Sequence, residues 1–258
     1  MGIAKFLLET VAVADGELRK LLRDPTELFS RAVQPVLWLT VFGQVMEQVR
    51  GIHNGPGSYL VFITPGIMAQ SVLFSAIFYG IAVIWERDLG VVHKQLVSPA
   101  YRSALVLGKA VSAGFRGLVQ CCVIYALAAL MHLPMRYEPL AMVAVLCTVV
   151  LGSALFSTFS LIIACIVKTR ERFMGVGQVL TMPLFFASSA IYPLDLMPAW
   201  LQVVARFNPL TYLVDALRGL MVPGDAAAAN LLPDLGIMAA TFLLMMAVAV
   251  KLYPSLVR

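Results

Sequence analysis

The sequence predicts an all-α integral membrane protein with six transmembrane helices, on the basis of its composition and the spacing of its charges. Of the 258 residues, 60% are hydrophobic and only 13% are charged, whereas a typical soluble domain carries about 25% charged residues. Six stretches contain no Asp, Glu, Lys or Arg: 32–46, 51–85, 117–135, 139–167, 173–194 and 235–250. A spanning helix needs about 20 mostly apolar residues, whereas a β-barrel would show segments of roughly 10 residues with alternating polarity.

The N-terminal segment, residues 1–31, is amphipathic and is expected to lie on the cytoplasmic surface of the membrane. Its apolar side consists of Leu18, Leu21, Leu22, Leu28 and Phe29. Asp24-Pro25 predicts a break between two short helices, because proline suits the first turn of a helix. A plain solvated terminal helix is the alternative. The ten charges of this segment and its lack of a continuous apolar run argue against a cleavable signal peptide.

Six spanning helices are predicted from the charge-free stretches, at 32–49, 59–85, 110–131, 140–167, 174–192 and 232–250. Pro65 is expected to kink or locally unwind the second span, and Pro183 to interrupt the fifth. In the fourth span small residues recur at helical spacing, which favours close helix packing over a transport path. These residues are Ser153, Ser157, Ser160 and Ala164.

The distribution of Lys and Arg predicts that both termini are cytoplasmic. Five of these residues lie in the N-terminal segment, five follow the second span, three follow the fourth and two are in the tail, whereas the opposite side has four. The net charge of +5 therefore reflects membrane orientation and anionic lipid, and no nucleic-acid partner is expected.

The charged stretch 86–98, between the second and third spans, predicts a short cytoplasmic helix. Leu89, Val92 and Leu96 would share one face of it, with Arg87 and Lys94 on another. Pro99 would end the helix, since a residue before proline disfavours helical geometry. We interpret this segment as a docking helix for a cytoplasmic partner; a charged loop that only sets the topology is the alternative.

Uncharged polar residues within two spans could either bond neighbouring helices or line a mildly polar substrate path. They are Gln70, Ser71 and Ser75 in the second span and Gln178 and Thr181 in the fifth. No acidic or basic residue is expected deep within a span, which argues against a secondary transporter or an ion channel. The three His residues lie in three different loops, which argues against a membrane-embedded lipid-modifying enzyme.

No G-x-x-x-x-G-K-[ST] phosphate loop occurs in the chain, so ATP would have to be bound by another protein. Three blocks resemble the permease subunits of type-two ATP-binding-cassette (ABC) exporters, which include the daunorubicin-resistance, nodulation-factor and O-antigen exporters. The longest is "YLVFITPGIMAQSVLFSAIFYGIAVIWERDLGVVHKQLVSPAYRSALVLGK", residues 59–109; the others are "RFNPLTYLVDALRGLM", 206–221, and the weaker "LRDPTELFSRAVQPVLWLTVFG", 22–43. The resemblance covers nearly the whole chain.

This resemblance implies a permease that exports an amphipathic or lipid-like substrate, such as a drug, a lipid or a lipid-linked glycan, across the bacterial inner membrane. Two permease copies would pair, through the first span and the end of the fifth with its outer segment. Two separate ATPase subunits would bind ATP and Mg²⁺ and would push coupling helices at 86–98. The residues expected to contact the ATPase are Glu86, Arg87, Asp88 and Lys94. No catalytic, metal-binding or cofactor-binding residue is expected in this chain.

The resemblance also implies an outer re-entrant segment, residues 196–221, formed by two short half-inserted helices. Pro198 and Pro209 each suit a helix start, and Asn208 suits the N-cap of the second helix. Asp215 and Arg218 lie one turn apart and are expected to pair. We interpret Asn208, Pro209, Asp215 and Arg218 as part of an outer gate; a helix pair lying flat on the outer leaflet is the alternative.

Overall fold

The computed structural model describes residues 2–23, 25–48, 58–98, 100–167 and 169–257, and this part of the chain is helical and contains no β-strand. The α-helices are α1 (Gly2–Arg23), α2 (Pro25–Leu37), α3 (Gln44–Glu47), α4 (Tyr59–Asp88), α5 (Val91–Val97), α6 (Arg102–Leu130), α7 (Pro139–Ile166), α8 (Arg170–Phe186), α9 (Ala199–Phe207), α10 (Pro209–Met221) and α11 (Leu231–Leu252). A π-helical turn, Trp38–Gly43, joins α2 to α3. Three short 3₁₀ turns are Leu194–Leu196, Ala226–Asn230 and Tyr253–Val257.

Four helical segments of the described chain are long and apolar enough to cross a membrane: Tyr59–Asp88, Arg102–Leu130, Pro139–Ile166 and Ala226–Leu256. They correspond to the second, third, fourth and sixth predicted spans. The helix of the third span begins eight residues before the predicted start at 110. Charged residues such as Arg and Lys are good helix formers, so a helix can continue beyond the apolar stretch that hydropathy detects.

The first and fifth predicted spans differ more from the structure. The first, predicted at 32–49, consists of the end of α2, the π-helical turn and α3, and its last residue lies outside the described residues. The fifth, predicted at 174–192, is the 17-residue α8, which ends at Phe186. At 1.5 Å per residue this helix is about 25 Å long. The chain then turns through Ala187 to Pro193, so the helix ends six residues before the predicted end at 192.

Both prolines expected to disturb spans lie inside continuous helices. Pro65 is within α4 and Pro183 is within α8. The predicted unwinding at Pro65 and interruption at Pro183 were therefore wrong. Spanning helices tolerate proline because neighbouring groups can satisfy the backbone carbonyl that proline leaves without a donor.

Helix α4 forms the centre of the fold and packs against α6, α7, α8 and α10. The small face of α7 packs closely on it, as predicted: the Ser160 hydroxyl donates to the Ile77 carbonyl and accepts a 2.9 Å hydrogen bond from the Gly80 amide. At its other end α4 meets the turn after α8 at Gly66. A Cβ there would lie 2.8 Å from the Ala190 carbonyl carbon and closer still to its oxygen, so only glycine permits this approach.

Helix α1 packs against α6 rather than extending away from the fold. Its buried side is narrow and partly polar, and consists of Thr10, Ala14, Glu17 and Leu21. Of the apolar residues predicted to share one face, Leu21 is buried but Leu22 is 71% exposed. Helix α11 lies at the periphery, and of its residues, all of which are described, only Asp234, Met238 and Ala249 are buried, which suits a helix that faces lipid.

Candidate functional site

Glu86 lies in the last turn of α4 and is buried, with 9% of its surface exposed. Its carboxylate accepts a 2.5 Å hydrogen bond from Lys20 Nζ of α1 and another from Lys109 Nζ of α6. Glu86 was expected on a docking surface that faces a partner. Its position in α4 corrects this, because the first two turns of α6 place Lys109 beside it.

Glu17 joins the same group of side chains, which we call the charged cluster: Glu17, Lys20, Glu86 and Lys109. Its carboxylate is 2.9 Å from Lys20 Nζ and 3.6 Å from Lys109 Nζ. The two acids and two bases alternate, so each charge has two opposite neighbours. Burial alone would lower the pKa of Lys20, but its hydrogen bonds to Glu86 and Glu17 raise the pKa. The ion pairs of the charged cluster therefore connect α1, α4 and α6.

Helix α6 carries two buried basic residues in its first half. Lys109 is 1% exposed and Arg116 is 7% exposed. Both approach the Tyr79 ring, with Lys109 Nζ 5.9 Å and the Arg116 guanidinium carbon 5.1 Å from its centroid. A buried charge is tolerated where it is paired or stacked on an aromatic face.

Sequence reasoning overlooked this buried side of α6, although its spacing was visible. Its polar residues recur every three or four positions and are all buried: Lys109, Ser112, Arg116 and Gln120. A polar stripe of this kind on an otherwise apolar helix predicts a face directed into the protein.

The predicted docking helix is shorter than expected. Gly90, at φ 73°, separates α4 from α5, which spans only Val91–Val97. Leu89 and Val92 were predicted on one face, but Leu89 is 71% exposed whereas Val92 is fully buried. Periodicity cannot continue through Gly90, because a left-handed residue ends the helix.

Helix α5 is attached to the fold on one side and exposed on the other. The Tyr253 hydroxyl donates a 2.8 Å hydrogen bond to the Gln95 side chain, and Val92 is buried beside it in the core. His93 and Lys94 are exposed. Of the four predicted coupling residues, only Lys94 lies in α5.

Arg87 and Asp88 complete α4 and link its end to α8. Arg87 is 2.8 Å from Asp88, whose other carboxylate oxygen accepts a 2.7 Å hydrogen bond from Arg170. The Arg170 guanidinium stacks on the Trp85 ring at 3.4 Å. These ion pairs are partly exposed, and such pairs contribute about 0–1 kcal/mol each.

At the opposite end of the fold, Asn208 begins α10 as predicted. Its side-chain oxygen accepts a 3.0 Å hydrogen bond from the Leu210 amide, and Pro209 is the first helical residue. The Asn208 amide group also donates to the carbonyls of Leu184 and Ala187, at 2.6 and 2.9 Å. One side chain therefore caps α10 and binds the end of α8.

Asp215 and Arg218 pair within α10, as predicted, at 3.3 Å. The same guanidinium donates a 2.7 Å hydrogen bond to the Ser189 carbonyl and lies 4.1 Å from the centroid of the Phe62 ring in α4. The Ser189 hydroxyl donates to Asp215 at 2.8 Å. Arg218 thus connects α10, α4 and the turn after α8.

The polar residues proposed for a substrate path do not share one described pocket. Gln70, Ser71 and Ser75 line a cavity between α2 and α4. Thr181, on α8, is buried and donates to the Gly177 carbonyl at 2.6 Å, whereas Gln178 is exposed. Only the residues of α4 therefore face a common space.

Comparison with known proteins identifies the family of this chain. The model of the family described as ABC-2 type transporter matches residues 9–222. Transport permease ycf38 of Cyanophora paradoxa is 29% identical, over 83% of this chain and 74% of its own. The inner membrane transport permease YadH of Escherichia coli K12 is 27% identical, over 72% and 73% respectively. The daunorubicin resistance ABC transporter permease protein DrrB1 of Streptomyces coeruleorubidus is 23% identical, over 76% and 69%. The chain belongs to the ABC-2 type transporter permease family.

Proposed function

We propose that this permease is the membrane subunit of an ABC exporter that moves an amphipathic or lipid-like substrate out across the bacterial inner membrane. The observation that carries the proposal is the family match over residues 9–222. Family membership implies an ABC ATPase partner, and in our proposal two such subunits bind ATP and Mg²⁺. A relative named for daunorubicin resistance favours outward movement of an amphipathic compound.

The coupling proposal assigns ATPase contact to α5 and force transmission to the charged cluster. The exposed side of α5, with His93 and Lys94, meets the ATPase. Displacement of α5 moves the end of α4, since Gly90 is the short link between the two helices. The ion pairs of Glu86 then carry the movement to α1 and α6.

The complete transporter in this proposal contains two copies of the chain, each with six spans and both termini in the cytoplasm. Helix α8 favours pairing because one side of it is apolar and exposed, a side that includes Val176, Val179 and Phe186. Exposed apolar side chains on a helix of this kind are covered by lipid or by another helix. Pairing through α8 and the first span covers this side.

The proposed function is tested by co-expressing the permease with ABC ATPase subunits from the same genome and purifying the complex. We expect co-purification and ATP-dependent export from inverted membrane vesicles. Lys94→Glu should weaken both, because it reverses the exposed charge on α5, whereas Lys251→Glu, exposed at the end of α11, is the matched control. Normal co-purification and export by a correctly inserted Lys94→Glu variant would contradict the assignment of α5.

Dimer formation is tested separately by cross-linking single cysteines in a variant that lacks the four native cysteines. Cysteines at Val176 or Val179 should give cross-linked dimers. A cysteine at Leu244, on the exposed side of α11, is the control and should not. Cross-links from α11 alone would place the dimer interface elsewhere.

A further inference from the structure

Helices α2 and α4 enclose a small cavity of about 50 Å³ with several polar side chains in its lining. Its polar lining consists of Arg31, Gln34, Gln70 and Ser75, with Ser71 beside them. Phe74 and Phe78 form an apolar wall. A water molecule needs roughly 10–15 Å³ of such space, so the cavity has room for a group that replaces a few waters.

One polar group of this cavity, the Ser75 hydroxyl, is not used by the packing of the two helices. Ser75 is 5% exposed, and its hydroxyl has no hydrogen-bond partner among the described residues. A buried polar group without a partner is rare and calls for a bound water, ion or ligand. Ser71 differs, because its hydroxyl donates to the Ile67 carbonyl at 2.8 Å.

The charge of the lining favours an anion. The Arg31 guanidinium carbon lies 5.7 Å from the centroid of the Phe78 ring, which holds it at the cavity. The amide groups of Gln34 and Gln70 and the Ser75 hydroxyl can add neutral donors. None of the residues described as lining the cavity is acidic. Guanidinium together with amide and hydroxyl donors is the chemistry that binds phosphate oxygens.

We propose that this cavity binds the phosphate group of an anionic amphipathic molecule. The inference deepens the proposed function, on which it rests, by assigning a charge to the substrate and a position to its headgroup. The phenyl rings of Phe74 and Phe78 are next to the polar groups, so an apolar chain attached to the phosphate would have an apolar wall to contact. Free inorganic phosphate has the same charged group without the chain.

The test measures equilibrium binding of radiolabelled dodecyl phosphate to the purified permease in nanodiscs of phosphatidylcholine, with empty nanodiscs as background. No ATPase is needed, so the result is independent of the proposed coupling. We expect saturable binding that weakens at least tenfold in Arg31→Gln. The matched control, Arg102→Gln, removes an exposed arginine at the start of α6 and should bind normally.

A second variant keeps the charge and fills the cavity instead. Ser75→Val replaces the unpartnered hydroxyl by methyl groups, and we expect it to weaken binding severalfold while the protein still elutes as a single folded species. Competition identifies the source of the phosphate: unlabelled dodecyl phosphate should displace the probe, whereas inorganic phosphate and dodecyl maltoside should not. Equal displacement by inorganic phosphate would assign the site to the free ion.

Binding that is insensitive to both substitutions would overturn the proposal, as would the absence of saturable binding. Failure of the permease to associate with an ATPase, with binding intact, would overturn the proposed function and leave the phosphate site standing. Normal export with no binding defect in either variant would overturn the phosphate site and leave the proposed function standing.

Discussion

Lys109 of α6 and Glu86 of α4, 23 positions apart in the sequence, form a buried ion pair that joins the two helices. Lys109 is almost completely enclosed, and Glu17 and the Tyr79 ring are its other neighbours. Leaving one member of such a pair without its partner costs more than the pair itself contributes, because the remaining charge stays desolvated. The charged cluster is therefore expected to govern both stability and coupling.

Lys109→Met should destabilise the protein substantially. Removing one partner of a buried pair costs about 3–5 kcal/mol, and we expect the lower end because Lys20 still contacts Glu86. Thermal unfolding in detergent should show a fall in Tm of roughly 6–12 °C. Lys94→Met, an exposed site on α5, is the control. The double variant Glu86→Gln/Lys109→Met should recover part of the loss; no recovery would mean that Lys109 acts through packing alone.

Gly66→Ala should disturb the contact between α4 and the turn after α8. The new Cβ would overlap the backbone of Ala190, which cannot rotate away as a side chain can. Overpacking of this kind costs about 1–3 kcal/mol or more, so we expect a lower Tm. Gly236→Ala is the matched control, because nothing lies within 4 Å of its added Cβ, and alanine is the better helix former. Equal Tm values for the two variants would contradict the close approach seen at Gly66.

Sequence and structure agree where the determining contacts are local. The fourth predicted span differs by one residue at each end from α7, and the Asn208 cap and the Asp215–Arg218 pair both span four residues or fewer. The predicted starts of the third span and of α5 differ from the helix starts, because apolar length measures membrane burial, whereas a helix begins and ends where its backbone geometry changes, as at Gly90. The pairing of Lys109 with Glu86 depends on how α4 and α6 pack, which hydropathy does not encode.

The topology of α9 and α10 leads to a prediction about solvent access. If these helices do not cross the membrane, single cysteines at Asp225 and Asn230 lie on the outer side, between α10 and α11. In intact cells both should react with a membrane-impermeant thiol reagent. A cysteine at Lys94, on the predicted cytoplasmic side, should react only after permeabilisation. Labelling of Asn230→Cys only after permeabilisation would mean that this segment crosses the membrane and that the C-terminus is outside.

Arg218→Lys should resemble Arg218→Ala rather than the wild type. The guanidinium simultaneously reaches Asp215 and the Ser189 carbonyl and stacks on Phe62, whereas an ammonium group is a compact charge without a planar face. We expect losses of about 2–4 kcal/mol for either variant, measured as a lower Tm, together with impaired export. Asp215→Asn should be milder, because Arg218 retains its other two contacts. A wild-type Tm for Arg218→Lys would show that charge alone suffices.

Asn208 has two roles, because its side chain caps α10 and also donates to the carbonyls of Leu184 and Ala187. A substitution by aspartate can distinguish the two. Asn and Asp are similarly good N-caps in general, so Asn208→Asp should preserve the hydrogen bond from the Leu210 amide. It cannot donate, however, and would bring a buried carboxylate against the carbonyls of Leu184 and Ala187. A buried carbonyl left without its donor costs about 1–3 kcal/mol. We therefore expect Asn208→Asp to lower the Tm at least as much as Asn208→Ala, which loses the cap and the donors but adds no charge.

Asp225 provides the matched control for this comparison, because its side chain acts as an acceptor for the Ala227 amide at 2.8 Å. Asp225→Asn keeps that acceptor and should leave the Tm nearly unchanged. If Asn208→Asp were as stable as the wild type, capping of α10 would be the whole role of this residue. If it is the least stable of the three variants, the Asn208 amide group holds α10 against the end of α8, and α10 is then fixed to α8 by side-chain donation rather than by apolar packing alone.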